Sequence, residues 1–290
     1  MNNSKDKNSY ETRWLEATKS NDTSILRFEE ADTFPSFFYL EYNKLTLTLL
    51  ENKLGRLSSE TKILEVGCGR ATASIYLGVK RGCKLKPIDY SKNAIDIANI
   101  NLRNNGLEEN AEVGDIFEYE TSEKFDAVIS YGVMEHMPDI KSAYKSMLAK
   151  MKPGGVMISM NVPEKRRNIQ TIFAPINRTL FKVNQWLAIK DNKPWLDKTN
   201  RGQTGNVYRT YNSSKEFAQK CQEAGFVNVK VIEVNPFPTI NPLPYRAERF
   251  LVRLFKIILN IKFKLKKNEY IFQTSEFLSR CHFVIAECPK

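Results

Sequence analysis

The sequence predicts an α/β fold built on a central, mostly parallel sheet with helices on both faces. Three observations predict it. From Lys62 to Pro163, short apolar runs alternate with amphipathic stretches of helical length, the pattern of β-α-β units. Farther on, VNVKVIEV (227–234) and CHFVIAEC (281–288) alternate as strands and bring the sheet to seven. The 290 residues, 42% hydrophobic and 27% charged, are enough for one large domain with a full core.

The elements follow in chain order. The N-terminus, MNNSKDKNSYETR, is polar, carries no secretory signal, and its first nine residues read as disordered. Residues 1–60 form an N-terminal helical segment, with Trp14, Leu15, Phe37, Phe38, Leu45, Leu49 and Leu50 as its apolar positions. The main domain, 61–290, begins with strands at 62–67, 84–89, 111–115, 125–130 and 155–162, and helices at 71–81, 91–104 and 139–151. Ser91 starts a helix whose Ile95, Ala98 and Leu102 have helical spacing. Pro153-Gly154-Gly155 is expected to end the 139–151 helix and turn the chain into the next strand. Ser213-Ser214 cap a helix that stops at Gly225.

Two insertions interrupt this order, at 164–212 and 235–276. The net charge is +11, and its excess lies in them. Residues 164–210 carry +7 and 235–276 carry +5, which leaves −1 for the rest. Such basic blocks favour anionic partners. The longest apolar stretch, 250–263, is broken by Arg253, Lys256 and Lys262, so no transmembrane span is expected. Five widely spaced cysteines without C-x-x-C indicate neither a disulfide framework nor a zinc site, and reduced thiols in a cytoplasm are expected.

In open parallel sheets, ligands sit outside the carboxyl ends of the strands. After strand one comes Glu65-Val66-Gly67-Cys68-Gly69-Arg70-Ala71, a glycine turn that lets a ligand approach the backbone. A dinucleotide fingerprint would need a third glycine where Thr72 stands, so a nicotinamide cofactor is disfavoured. Asp89 ends strand two, 20 residues after Gly69, where a carboxylate can accept from ribose hydroxyls. Asp115-Ile116 ends strand three and pairs an acceptor for an exocyclic amine with an apolar side chain for a purine. SYGVMEHMPD, 130–139, follows strand four, and MKPGG, 151–155, precedes strand five.

ILEVGCGRAT, Asp89, Asp115, FDAVISYGVMEHMPD and MKPGG, in this order and spacing, resemble the class I S-adenosylmethionine-dependent methyltransferases. The EHMPD segment is most similar to the small-molecule branch that includes ubiquinone-biosynthesis O-methyltransferases. The resemblance covers 62–163 and the terminal strand pattern from 211 to 288. It implies a Rossmann-like seven-stranded sheet with an antiparallel last strand, two lid insertions, and S-adenosylmethionine as cofactor. It places Gly67, Cys68 and Gly69 against the methionine and ribose, and Glu65 near the methionine end. Asp89 would bind the ribose hydroxyls, with Ile88 or Tyr90 beside the adenine; Asp115 and Ile116 would recognise the adenine; Ser130 would complete the cofactor set. Ala71 stands where the family's third glycine falls. Gly132 stands where the quinone enzymes carry a further acid, so no metal site is expected on Glu135 and His136.

The resemblance further implies methyl transfer to a small-molecule acceptor. For an oxygen acceptor, His136 is the expected base, because histidine titrates near neutrality. Arg209 and Tyr211, where the first insertion returns to the sheet, are expected substrate contacts. The first insertion also carries Phe173, Phe181, Trp186, Trp195 and Tyr208 among its basic residues and reads as an irregular acceptor lid. In the second, Arg246, Arg249, Arg253 and Lys256 share a helical face, while Phe250, Leu251, Leu254, Ile257, Ile258 and Ile261 cover much of the rest. A helix of this kind lies in a membrane interface or buries its apolar face on the domain. The expected acceptor is therefore anionic or lipid-linked, with peripheral membrane contact through 245–267 at the inner face. Two other readings stay open: an RNA methyltransferase, favoured by charge, and a protein that binds S-adenosylmethionine without turnover.

Overall fold

A computed structural model describes residues 11, 14–15, 31–164, 168–191, 208–238, 240, 242–266 and 272–290. The disorder expected for residues 1–9, and Trp195, lie outside the described residues.

Seven strands form one sheet: β1 (Lys62–Val66), β2 (Lys84–Asp89), β3 (Glu112–Val113), β4 (Phe125–Tyr131), β5 (Met151–Asn161), β6 (Val227–Val234) and β7 (Cys281–Glu287). Their order is β3-β2-β1-β4-β5-β7-β6. Neighbours from β3 to β5 are parallel, and β7 runs antiparallel to both β5 and β6. This is the expected Rossmann-like sheet with an antiparallel last strand. The strand order reverses at β1, which lies between β2 and β4, and a crevice at such a switch point is where open α/β sheets bind ligands.

Helices cover both faces, with α1 (Phe34–Leu54), α2 (Thr72–Arg81) and α3 (Lys92–Asn104) on one. Their Phe37, Leu50, Ile75 and Leu102 share a core with Ile63, Ala127, Ile158 and Phe283 of the strands. The other face carries α4 (Ile140–Leu148) and α6 (Ser214–Glu223), where Tyr144 and Phe217 pack with Leu64, Val128, Met157 and Val284. The helices start where local chemistry satisfies their free amides. Ser91 Oγ accepts from Ala94 N at 3.3 Å, and Ser213 forms a capping box with Glu216.

The structure corrects the sequence reading at three places. MKPGG lies inside the span of β5 rather than before it, with Met151 opposite Phe125, and it keeps its turn there: Gly154 has φ 75° and the ladder with β4 resumes only at Val156. The register shifts between Phe125 and Ala127, a bulge that absorbs the irregular backbone. Gly154 N donates to Cys288 O and Cys288 N to Gly155 O, so the Pro-Gly-Gly turn is fastened to the chain after β7. The first insertion is not irregular where it is described: Ile169–Asp191 forms a helix, α5, with Pro175 inside it.

The third correction concerns the second insertion, which holds the expected helix, α7 (Tyr245–Lys266). Its residues Glu248, Val252, Phe255 and Leu259 are buried, at helical spacing, and Phe255 stacks with Phe34 and Phe237. Of the six apolar positions singled out from sequence, Phe250, Leu254, Ile257, Ile258 and Ile261 face outward, and Leu251 is half-buried against the core. The four basic residues divide: Arg246 and Arg253 are exposed, whereas Arg249 Nε lies 2.9 Å from Asp32 Oδ2. Among the described residues, no helix is long and apolar enough to cross a membrane.

Candidate active site

The glycine turn after β1 is shaped by two residues with positive φ, Gly67 at 65° and Gly69 at 52°. L-residues carry a steric cost there that glycine lacks. Space adds a second constraint: a Cβ on Gly67 would lie 2.4 Å from Val133 Cγ2. Ala71, at the place of the family's third glycine, is also left-handed, with φ 57°, and it is the N-cap residue of α2. The turn therefore keeps the same backbone path and holds Ala71 at a cost of about 1–2 kcal/mol.

Asp89 fastens this turn to the end of β2. Its Oδ2 accepts from Gly69 N at 2.9 Å and its Oδ1 from Ser91 N at 3.0 Å. Burial raises its carboxyl above the usual range, and these amides partly offset that. Cys68 N donates to Ile88 O, and Gly114 N to Asp89 O, so the loops after β1, β2 and β3 meet at one point. Asp115 and Tyr90 are half-buried beside them. Ile116 is buried in the core with Val66, Ile88 and Met134. Ser130 pairs with Val66 across the β1–β4 ladder, and its buried hydroxyl has no hydrogen-bond partner among the described residues.

Glu65 has a different position from its neighbours. It is buried, its Oε2 accepts from Ser74 N in the first turn of α2 at 2.9 Å, and burial pushes its carboxyl up to about 7. It holds the N-terminus of α2 under the glycine turn.

The loop after β4 forms the second half of the site. Met134–His136 make a single 3-10 turn. His136 Nδ1 lies 2.7 Å from Tyr208 O. A carbonyl can only accept, so the Nδ1 proton donates to it and the ring's lone pair resides on Nε2. Thr210 N donates to Glu135 O, and Glu164 N to Thr210 O, so this loop gathers both ends of the first insertion. Arg209 arrives with them, and its Nη1 is 3.8 Å from Glu164 Oε1. Tyr211 lies next along the chain and is exposed. The sequence-predicted site residues thus fall in two groups, the cofactor set around Gly69 and Asp89 and the acceptor set around His136.

Glu135 was noted in the sequence only as half of an improbable metal pair. In the fold it is 1% exposed, its Oε1 accepts from Val162 N at 3.1 Å, and Oε2 has no hydrogen-bond partner among the described residues. Burial pushes its carboxyl up to about 7, with the Arg209 charge opposing the shift. Val133, whose methyl lies on Gly67, was also missed: it carries no chemistry of its own and matters only as the join between the two groups.

Comparison with known proteins places this geometry. The model of a family described as a methyltransferase domain matches residues 57–232. The ubiquinone biosynthesis O-methyltransferase of Actinobacillus pleuropneumoniae serotype 7 is 30% identical over 144 residues, 48% of this chain and 55% of that protein. The protein of the same name from Azoarcus is 25% identical over 207 residues, 70% of this chain and 80% of that one. That protein apart, the chain spans about half the length of the curated relatives it matches. A solved S-adenosylmethionine-dependent methyltransferase from Clostridium acetobutylicum shares the fold, with a TM-score of 0.54, 12% identity, and coverage of 87% of this chain and 92% of that one.

Proposed function

The chain belongs to the methyltransferase-domain family, and from that membership we propose that it moves a methyl group from S-adenosylmethionine to the oxygen of an anionic small-molecule or lipid-linked acceptor. The observation that carries this reading is the contact of Val133 with Gly67, which sets the histidine loop directly on the glycine turn. Donor and acceptor sites then share a wall, as a direct transfer requires.

The residues present fit the cofactor. The turn at Gly67 and Gly69 offers a backbone cradle without side chains, and Ser130 offers a buried, unpaired hydroxyl beside it. Gly67, Cys68 and Gly69 would lie along the methionine and ribose. Asp89 would accept from the ribose hydroxyls with the lone pairs its two amide bonds leave over. Tyr90, Asp115 and Ile116 would enclose the adenine. Glu65 would act from below, by positioning α2. S-adenosylmethionine supplies a methyl group already activated for in-line displacement. The chain must hold the two reactants in line and exclude water.

His136 is the proposed base. Its Nε2 would take the acceptor's hydroxyl proton as the O–CH3 bond forms, and the Tyr208 carbonyl would stabilise the resulting imidazolium at Nδ1. Arg209 would hold the acceptor's anionic group, and Tyr211 would extend that contact outward. The names of the curated relatives support oxygen as the methylated atom. Labelled methyl transfer into fractionated cell extract tests the reading: label in no fraction would overturn it, and the labelled fraction gives the acceptor's class. With that acceptor saturating, His136→Ala is expected to lower turnover about 100-fold or more while changing S-adenosylhomocysteine affinity less than threefold. Unchanged turnover would remove His136 as the base.

The outer face of α7 supports peripheral membrane contact. Phe250 is 67% exposed, Ile257 54% and Ile261 52%, with exposed Arg246 and Arg253 beside them. An apolar stripe flanked by cations fits an anionic bilayer surface, where each class of residue finds its partner. Co-sedimentation with phosphatidylcholine vesicles containing phosphatidylglycerol is the measurement. Binding at low salt, weakened at high salt and lost in Phe250→Ser/Ile257→Ser, is expected. No sedimentation at low salt would leave a water-soluble acceptor and no membrane contact.

A further inference from the structure

We propose that Glu11 and Trp14, near the N-terminus, form the outer wall of the cofactor site, closing the glycine turn from the solvent side. The proposal rests on the assignment of that turn to S-adenosylmethionine.

Two contacts place the wall. The six-membered ring of Trp14 lies against Gly69, with Cζ2 and Cη2 each 3.0 Å from where a Cβ on that residue would stand. Glu11 Oε2 accepts from Asn93 Nδ2 at 2.8 Å, and Asn93 belongs to the first turn of α3, just beyond Asp89 and Ser91. Both are helical residues, and a spacing of three sets side chains on one face. That face bridges the loop after β1 and the loop after β2, the two loops Asp89 ties together from within. Leu15, one position on, is exposed.

The chemistry of each residue suits the position. An indole is the largest flat apolar group available to the chain, and over a glycine turn it excludes water from the backbone amides beneath. Gly69 then has a second reason to be glycine, because any side chain would displace the ring. Glu11 brings a negative charge close to Asp89, which adds to the effect of burial in raising that carboxyl. A ligand that presents hydroxyl donors between the two carboxylates would satisfy both, and a ribose does so. Closing the wall and binding the cofactor are then one coupled step: the ligand lies along the turn beside the ring, and the ring shields its edge.

The test uses the full-length protein and S-adenosylhomocysteine as the probe. Calorimetric titration is expected to show at least tenfold weaker binding for Trp14→Ala, within threefold of wild type for Trp14→Phe, and about three- to tenfold weaker for Glu11→Ala. Circular dichroism melting checks that each variant folds. A reporter in an otherwise intact chain guards against misfolding: with Trp186→Phe and Trp195→Phe, Trp14 is the sole remaining tryptophan. Its emission should change on titration, with the same midpoint as the calorimetry. Wild-type affinity in Trp14→Ala, or unaltered Trp14 emission at saturation, would overturn the wall and leave the cofactor assignment standing. No binding by the wild-type protein would overturn both.

Discussion

Asp89→Ala is expected to weaken S-adenosylhomocysteine binding by a factor of 100 or more. The side chain lies at the point where three loops meet, and under the proposed function it accepts two ribose hydroxyls. Hydrogen bonds to a charged acceptor contribute about 1.5–3 kcal/mol each, so losing a pair corresponds to roughly 100-fold or more in affinity. The same change leaves Gly69 N and Ser91 N without their buried acceptor. Each unsatisfied amide costs about 1–3 kcal/mol, so the melting temperature should fall as well. Asp89→Asn separates the two effects, because its carbonyl oxygen can retain one amide while the charge is lost. It should melt closer to wild type than Asp89→Ala yet still bind the ligand poorly. Calorimetry and thermal melting measure the two quantities. Affinity within threefold of wild type in Asp89→Ala would remove Asp89 from the cofactor site.

The second large effect depends on pH. Burial raises the Glu135 carboxyl to about 7 in the folded protein, against about 4.3 for an unfolded chain. The folded state therefore holds a proton that the unfolded state releases on rising pH. This contribution to stability is fully present below about pH 4.3 and is lost as pH rises through about 7. Glu65, also raised to about 7 by burial, has the same sign. Glu135→Gln keeps an acceptor for Val162 N and removes the titration. The substitution should be close to neutral near pH 5 and stabilise the protein at pH 8.5 by up to about 3 kcal/mol. Urea unfolding at the two values measures it. A difference between variant and wild type that does not change with pH would show that Glu135 titrates normally. The carboxyl's own partner is Val162 N at the end of β5, whereas Thr210 N is held by the main-chain carbonyl of Glu135, which does not titrate.

Much of the site was legible because it depends on short-range rules. A glycine turn between an apolar run and a helix needs only its own residues to be recognised, and Gly67 and Gly69 do take the left-handed backbone that L-residues avoid. The caps at Ser91 and Ser213 are contacts three residues long. Asp89 was legible from its distance to Gly69, because a strand, a helix and a strand bring the two together at a nearly constant spacing. What was misread depended on partners far along the chain. Pro153-Gly154-Gly155 has every local mark of a turn and makes one, yet the pairing of Met151 with β4 and of Cys288 on the other side sets it inside the strand rather than ahead of it. In α7 both faces are apolar, so periodicity shows that a helix forms and does not say which side is inward. Phe34 and Phe237 decide that, by stacking on Phe255.

The sequence by itself determined the strands, the glycine turn and the carboxylates at the strand ends, since each follows from periodicity or from backbone conformations that few residues adopt; the antiparallel end entered through the resemblance to the methyltransferases. Only the tertiary structure decided the environment of those groups. Burial is a property of everything packed around a side chain, and it is burial that turns Glu135 from a loop acid into a group titrating near neutrality. Contact is likewise decided at a distance: Val133 reaches Gly67 from the loop after β4, and Trp14 reaches Gly69 from the N-terminal segment. The donor half of the site was therefore readable as a motif. Its walls, its link to the acceptor half and the outward face of α7 come from long-range packing, which a one-dimensional pattern does not encode.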